Sequence, residues 1–218
     1  LGERTDTLDS EGKIIYKAPH FFVDKNLIET VLERFRGNIE QIPPMYSAIK
    51  VSGKPLYMLA RKGIEIERQH RSVNIYKLDI AGFAPPFLEI RVLCSKGTYI
   101  RTLCDDIGTA LGIGAHVVEL KRTKIGDFML KDSADFDELP NKEKSVCSID
   151  ASLSHLKDVI LSSSDFIRMA NGAMITSGNL PELPADSYLR LKNPDGKLFA
   201  IGKSTGSGIK IERLMHIL

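Results

Sequence analysis

The sequence of 218 residues predicts an α+β fold with a mainly antiparallel sheet, and three observations lead to that prediction. Residues 72–83 and 87–93 have alternating, β-branched or aromatic positions, and Ala84-Pro85-Pro86 joins them as a hairpin turn. Helical spacing of apolar residues occurs on both sides of this hairpin, at 24–36 and 99–111. After about residue 164 the chain changes to short strands and turns, which predicts a second, small β-barrel or half-barrel.

The first strong element is a helix from Asp24 to Arg36. Asp24 is a candidate N-cap, and Gly37 is expected to end the helix. Residues 37–44 are interpreted as a non-helical connection because two prolines close them. The elements expected next are a strand at 46–51, a turn at 52–54, a short helix at 55–62 and an edge strand at 64–68.

After the hairpin, the pattern predicts a helix at 99–111 and a strand at 116–125. Polar residues 132–145 predict a linker region, so residues 1–155 are assigned to a large domain and 156–218 to a small one. The small domain is expected to contain a helix at 166–170 capped by Ser164 or Asp165, a hairpin turn at Asp195-Gly196, and a final strand at 209–217.

Composition indicates a soluble globular protein, with 43% hydrophobic and 27% charged residues and a net charge of +2. No apolar run approaches the roughly 20 residues of a membrane span, and no signal peptide opens the chain, so a cytoplasmic location is expected. The three cysteines (Cys94, Cys104 and Cys147) have no paired spacing, which argues against a disulfide framework or a structural zinc site.

Positive charge is concentrated locally, between residues 44 and 71. Six basic residues stand there against Glu65 and Glu67, a balance of 6 − 2 = +4, and Tyr46 and Tyr57 lie among them. The basic residues are Lys50, Lys54, Arg61, Lys62, Arg68 and Arg71. Basic side chains with interleaved aromatics suit an RNA backbone and unstacked bases, whereas the alternative is an ordinary solvated face.

The segment Cys94 to Cys104 is the most informative for function. It presents Tyr99 and Arg101 between two apolar runs, directly after a small-residue turn. Polar groups between apolar segments need partners, and a guanidinium there needs a carboxylate or a phosphate.

Several blocks together resemble the bacterial tRNA pseudouridine synthase B (TruB) family, in the right order over residues 1–130 or so. The blocks are Leu1-Gly2-Glu3-Arg4-Thr5-Asp6-Thr7, Phe35-Arg36-Gly37, Gln41-Ile42-Pro43-Pro44-Met45-Tyr46-Ser47-Ala48-Ile49-Lys50, Gly53-Lys54 with Leu56-Tyr57 and Ala60-Arg61, Cys94 to Arg101, and Gly114-Ala115-His116 with Leu120.

This resemblance implies an enzyme that isomerises a uridine of the tRNA T-arm loop (family position uridine 55) to pseudouridine. It implies a pseudouridine synthase catalytic domain at 1–155, with an RNA-gripping insertion at about 44–71, and a short PUA-like RNA-binding domain at 156–218. No metal or organic cofactor is implied. The expected partner is the T-arm stem-loop of tRNA; no protein partner and no membrane are indicated, and a monomer is expected.

The family's nucleophilic aspartate lies in a Gly- and Leu-rich motif, followed by a stacking tyrosine, that is absent from these 218 residues. The aspartates Asp6, Asp9, Asp24, Asp79, Asp105 and Asp106 do not lie in such a motif. The sequence therefore resembles the C-terminal two-thirds or so of the enzyme, and we expect these residues alone to be inactive. One alternative is a catalytically incomplete fragment that binds tRNA; a weaker one is a metabolic enzyme with an anion site for a small phosphate or carboxylate.

The resemblance also assigns roles to residues. Arg101 matches the arginine that pairs with the catalytic aspartate, against a structural ion pair as the alternative. Tyr99 matches the tyrosine beside the flipped base, against a core tyrosine. Leu120 matches an apolar residue that closes over the substrate ring, against a simple strand-core residue.

The expected RNA contacts are basic side chains. Lys50, Lys54, Arg61 and Lys62 of the insertion would contact phosphates, which position RNA without reading its bases. Lys96, Lys121 and Arg122 could also contact RNA, or could be ordinary surface residues. Tyr46 and Tyr57 could stack on a base or pack internally.

Overall fold

A computed structural model describes residues 1–141, 146–176 and 184–215. It divides into two compact units, Leu1–Lys121 and Arg122–Leu218. The predicted domain boundary between residues 155 and 156 lies within the second unit and stays a prediction. Among the described residues, no helix is both long and apolar enough to cross a lipid bilayer.

The first unit contains seven strands and three α-helices. Its strands are β1 (Glu3–Thr5), β2 (Ile14–Lys17), β3 (Gly37–Gln41), β4 (Lys50–Val51), β5 (Lys54–Pro55), β6 (Arg71–Ala84) and β7 (Phe87–Cys94). Its helices are α1 (Lys25–Glu33), α2 (Leu56–Ala60) and α3 (Ile100–Ala110).

The second unit consists of short elements. Its strands are β8 (Lys124–Ile125), β9 (Phe128–Met129), β10 (Asp158–Ile160), β11 (Tyr188–Lys192), β12 (Leu198–Ser204) and β13 (Ile209–Leu214). Its α-helices are α4 (Ile149–Ser152) and α5 (Ser163–Ala170), and two 3₁₀ turns span Leu130–Asp132 and Phe136–Asn141.

The predicted hairpin is confirmed and forms the centre of the first unit. β6 pairs antiparallel with β7 on one side and with β3 on the other. Ile75 and Leu78 of β6 are buried against a cluster that includes Ile28 of α1 and Leu103 of α3. The sheet and the two helices therefore share one core.

Helix α1 begins as predicted but ends earlier. The Asp24 side chain accepts a hydrogen bond from the backbone N–H of Leu27 at 2.8 Å, as an N-cap does. The helix stops at Glu33 because Gly37, with a φ of +83°, already begins β3. The prediction of a non-helical connection at 37–44 missed that strand, since pairing with β6 supplies its hydrogen bonds.

Three predicted strands of this unit are shorter or missing. Residues 46–51 contribute only Lys50–Val51, in a hairpin with β5, and 64–68 form no strand. At 116–125 the prediction is wrong as well, apart from Lys124–Ile125. Val117 there makes only an isolated bridge to Asp9, because its N–H and C=O bond to the turn at Leu8 and Ser10 instead of to a sheet.

The second unit contains a four-stranded sheet in the order β10-β11-β12-β13, with β10 parallel and the others antiparallel. The hairpin turn at Asp195-Gly196 is confirmed. Helix α5 starts earlier than predicted because Ser162 is its N-cap and accepts from the backbone N–H of Asp165 at 3.1 Å. No closed barrel is found in the part of the chain that is described, so the predicted PUA-like barrel is not confirmed. The end of the predicted last strand, 216–217, lies outside the described residues.

Candidate active site

The acidic turn between β1 and β2 is held by its own side chains. The Thr5 hydroxyl donates to the backbone carbonyl of Asp9 at 2.7 Å. The Thr7 hydroxyl donates to Asp9 Oδ1 at 2.5 Å, and the backbone N–H of Glu11 donates to the same oxygen at 3.3 Å. The Asp9 carboxylate is therefore fixed in orientation, with Oδ2 left for another donor.

That donor is Arg101, in the first turn of α3. Arg101 Nη1 lies 2.7 Å from Asp9 Oδ2, and its Nη2 donates to the carbonyl of Tyr46 at 2.7 Å. Both side chains of the ion pair are about three-quarters buried, with 28% of Arg101 and 26% of Asp9 exposed. The predicted need of Arg101 for an anionic partner is thus met inside this chain by a carboxylate that sequence reasoning had not paired with it.

The pKa of Asp9 reflects these contacts. Burial by itself raises the pKa, but the hydrogen bonds from Thr7, Arg101 and the Glu11 N–H together outweigh burial. The net pKa of Asp9 lies below its ordinary value of 3.8, so the carboxylate is ionised at neutral pH.

A second ion pair repeats this arrangement one helical turn further along α3. Asp105 is 4% exposed and accepts from Arg4 twice, at 2.5 Å from Nε and 2.7 Å from Nη2. Arg101 and Asp105 are four residues apart and so lie on one face of the helix. That face therefore pairs Arg101 with Asp9 of the turn and Asp105 with Arg4 of β1, which fixes α3 against the N-terminal strand.

Tyr99 is the N-cap residue of α3 and is half-buried. Its backbone N–H donates to the Oε1 atom of Gln41, a fully buried residue at the end of β3, at 3.0 Å. Tyr99 and Arg101 are therefore both anchored to the segment 41–46. In the sequence, Gln41 is notable only as part of the family resemblance, because residue type alone does not indicate that a glutamine is buried.

Two further side chains of α3 have raised pKa values. Burial raises the pKa of the Cys104 thiol to about 12, which makes it a poor nucleophile at neutral pH. Burial, and next the like charge of Asp105, raise the pKa of Asp106 to about 6.

Among the described residues, no group of three or more His, Cys, Asp or Glu side chains is arranged to hold a metal ion.

The basic residues predicted to contact RNA are exposed. The hairpin of β4 and β5 carries Lys50 and Lys54, and Arg61 and Lys62 follow α2. Arg61 lies over the ring of Tyr57, 5.5 Å from its centroid, while the Arg68 guanidinium is occupied by the carbonyl of Pro43 and by Glu65. Lys50, Lys54, Arg61 and Lys62 therefore remain predicted phosphate contacts, whereas Arg68 has a structural role within residues 44–71.

The remaining predicted site residues also lie at the surface. Leu120 is 60% exposed, so the strand-core alternative for it is wrong, and its predicted role over the substrate ring stays a prediction. Lys96, Lys121 and Arg122 are exposed in turns or irregular segments, and their contacts with RNA stay predictions.

Comparison with known proteins identifies relatives of the whole chain. Residues 1–100 match the family "TruB family pseudouridylate synthase (N terminal domain)", and residues 101–164 match "tRNA pseudouridylate synthase B C-terminal domain". The tRNA pseudouridine synthase B of Clostridium tetani is 38% identical over 99% of this chain and 75% of its own length. That of Coxiella burnetii is 39% identical over 93% of this chain and 68% of its own length. The expectation that these residues alone are inactive finds no support in the matches.

Solved structures share the fold. A Cbf5-Nop10-Gar1 complex contains a chain that matches 89% of this one with a TM-score of 0.66 and 24% identity. An H/ACA RNP bound to a substrate RNA containing 2′-deoxyuridine matches 91% with a TM-score of 0.63 and 22% identity. This chain spans 63% of the length of each of those chains, and at this identity the likeness concerns the fold alone.

Proposed function

The chain belongs to the TruB family of pseudouridylate synthases, and we propose that it converts a uridine in the T-arm loop of tRNA, at family position 55, to pseudouridine. The observation that carries the proposal is the position of Arg101. It stands at the start of α3, ion-paired with Asp9 at 2.7 Å and bonded to the Tyr46 carbonyl at 2.7 Å, two residues after Tyr99.

Arg101 has donors left for a second carboxylate. A guanidinium carries five N–H groups. Three contacts use them within the described residues: Asp9 Oδ2, the Tyr46 carbonyl and, at 3.5 Å, the Thr7 carbonyl. The difference, 5 − 3, leaves two, and we assign these to the nucleophilic aspartate that the family resemblance implies. The guanidinium would keep that carboxylate ionised and oriented toward the nucleotide.

Asp9 itself is a poor candidate for the nucleophile. Its two oxygens already accept from Thr7, Glu11 and Arg101, and its lowered pKa makes it a weak base. Its role in the proposal is to hold Arg101. An orienting carboxylate needs saturated hydrogen bonds, whereas a nucleophile needs a free lone pair facing the substrate.

Tyr99 has the second role in the reaction. Isomerisation breaks the bond between uracil N1 and ribose C1′ and forms one from uracil C5 to C1′. The proton on C5 leaves and N1 gains one, so the atoms balance without another reactant. The Tyr99 ring would pack on the extruded uracil, and its hydroxyl would serve the transfer of the C5 proton.

RNA binding is assigned to two surfaces. One is the predicted RNA-gripping insertion at about 44–71, here called the gripping segment, which carries the exposed Lys50, Lys54, Arg61 and Lys62. The other is a face of the second unit, where Tyr188, Lys203 and Lys210 lie side by side across β11, β12 and β13. Tyr188 is 48% exposed, and Lys203 Nζ lies 5.8 Å from its ring centroid. Because Lys203 Nζ is also paired with Asp186 at 2.8 Å, the groups of this face that we assign to RNA are the exposed Tyr188 ring and the exposed Lys210.

The experiment that tests the function is incubation of the full-length protein with an unmodified T-arm stem-loop, followed by nucleoside analysis. The proposal expects catalytic conversion of the uridine at family position 55, and none in a matched stem-loop with cytidine there. Binding of the stem-loop without any pseudouridine would contradict it and would favour a role in tRNA binding alone.

A further inference from the structure

Gln41 is the most completely buried polar side chain next to the candidate site. It ends β3, where it pairs with Arg71 of β6, and 1% of its surface is exposed. Its amide makes two hydrogen bonds to one residue: Tyr99 N–H donates to Oε1 at 3.0 Å, and Nε2 donates to the Tyr99 carbonyl at 3.3 Å. Both polar ends of a buried amide are thereby satisfied by the backbone of Tyr99.

These two hydrogen bonds, here called the Gln41 clamp, hold a residue that does not cap its own helix. Tyr99 is the N-cap residue of α3, but its side chain makes no capping hydrogen bond. The turn before it contains Gly97 with a φ of +85°, a conformation that constrains other residues but not glycine. The Tyr99 carbonyl also accepts from Leu103 N–H at 3.0 Å, the first bond of the helix. The clamp thus fixes the peptide groups on both sides of the Tyr99 Cα, and with them the direction in which its ring leaves the backbone.

The same short segment also holds Arg101. The Tyr46 carbonyl, five residues after Gln41, accepts from Arg101 Nη2 at 2.7 Å. Residues 41–46 overlap the start of the gripping segment, so three hydrogen bonds tie that start to the Tyr99 backbone and to the Arg101 side chain. A displacement of this stem would move Tyr99 and Arg101 together.

We propose that Gln41 is a positioning residue for Tyr99 in the reaction, acting through the Tyr99 backbone without touching the substrate. The expected kinetic effect of Gln41 rests on the proposed function, whereas the two hydrogen bonds between Gln41 and Tyr99 are features of the structure itself.

Two substitutions separate positioning from a general contribution to folding. Gln41→Met keeps the length of the side chain but removes both hydrogen bonds. Gln41→Glu keeps the acceptor for Tyr99 N–H, and only its protonated form can also donate to the Tyr99 carbonyl. Burial favours that neutral form, so the glutamate variant is expected to work better at lower pH. Glu40→Gln, on the exposed neighbouring position of β3, is the matched control.

The kinetic readout is the single-turnover rate of pseudouridine formation, measured alongside tRNA affinity. Gln41→Met is expected to lower the rate about 10- to 100-fold while tRNA affinity changes less than about twofold, since small misplacements of reacting groups cost this much. Gln41→Glu is expected to regain part of the rate at about pH 6 and less at about pH 8. Equal rates for Gln41→Met and the control would overturn the inference, as would a pH-independent glutamate variant.

The second readout is hydrogen exchange at the Tyr99 amide, which does not depend on activity. A folded Gln41→Met protein is expected to exchange this amide at least about tenfold faster than wild type, with the core amides of β6 unchanged. If that variant does not fold, Gln41→Glu at about pH 8 takes its place. Unchanged protection of Tyr99 overturns the clamp. Absence of pseudouridine formation in wild type, with the faster exchange present, overturns the proposed function and leaves the clamp standing.

Discussion

Arg101 and Asp9 are 92 residues apart in the sequence, yet Arg101 Nη1 lies 2.7 Å from Asp9 Oδ2. Arg4 and Asp105 form the reciprocal pair, 101 residues apart, between the same helix and the N-terminal segment made of β1 and the turn after it. The helix and this segment each contribute one cation and one anion, so neither pair leaves an unbalanced charge in the partly buried region. This crossed arrangement fixes the start of α3, on which the proposed chemistry depends.

Replacing Arg101 by lysine is expected to lower the rate of pseudouridine formation at least about 100-fold. An ammonium group cannot reproduce the planar geometry that reaches Asp9, the Tyr46 carbonyl and a further carboxylate together. Single-turnover assays of Arg101→Lys test this. A variant within about threefold of wild type would show that charge alone suffices.

Substituting Asp9 by asparagine is expected to slow catalysis about 10- to 100-fold with tRNA affinity nearly unchanged. Asparagine keeps an acceptor but loses the charge that holds Arg101.

The contribution of Asp9 to stability should also change with pH. Because the folded pKa of Asp9 is lowered from 3.8, this contribution is present above about pH 4 and is lost as the pH falls through the folded pKa. Denaturant titrations should therefore show that Asp9→Asn costs stability at neutral pH and progressively less as the pH falls below about 4.

Asp106→Asn should stabilise the protein at about pH 8. The folded pKa of Asp106, about 6, exceeds 3.8, so the native state binds more protons and stability falls as pH rises between those values. Solvent screens this half-buried carboxyl, so the expected gain is about 1–2 kcal/mol at about pH 8 and near zero at about pH 3. A gain that does not depend on pH would contradict the assigned cause.

Asp105→Asn is expected to destabilise the protein by about 3 kcal/mol, the lower range for a broken buried pair, because Arg4 is 43% exposed and can be hydrated. Thermal or denaturant unfolding measures this. The comparison variant is Asp79→Asn, which removes an exposed pair with Lys77 and should cost less than about 1 kcal/mol. Equal losses in the two variants would refute the structural weight given to Asp105.

Local patterns predicted the parts of the fold that depend on local sequence. Alternation identified the hairpin of β6 and β7, helical spacing identified α1 and α3, and residue type identified the N-cap Asp24. Strand β3 was missed because its backbone partners come from Arg71–Ile75, 30 to 38 residues away. A small β-barrel or half-barrel was predicted from the regular spacing of short strands, but barrel closure depends on long-range pairing that this spacing does not specify.

The site was predicted in the same partial way. The polar residues between apolar runs pointed to Tyr99 and Arg101. The partners Asp9 and Gln41 could not be assigned, because an acidic turn and a glutamine at a strand end carry no local pattern that indicates burial against α3. Asp9 was the easier of the two to predict, because Arg101 required an anionic partner and the acidic turn contains carboxylates.

If the lysines of the gripping segment contact phosphates, their replacement should change the salt dependence of tRNA binding. Replacing Lys54 or Lys62 by glutamine should lower the slope of log affinity against log salt by about 0.7–0.9 each, if each contacts one phosphate. Lys25→Gln, an exposed lysine on α1, is the control and should leave the slope unchanged. An unchanged slope in both test variants would remove these lysines from the RNA interface.

The most direct measurement is loss of the C5 hydrogen from a T-arm stem-loop labelled at uridine C5, followed in one turnover for wild type and Arg101→Ala of the full-length protein, with RNA affinity measured in parallel. Near-stoichiometric release is expected from wild type, and release at least about 100-fold slower from the variant at similar affinity. No release from wild type, or an affinity loss as large as the rate loss, would contradict the role given to this guanidinium.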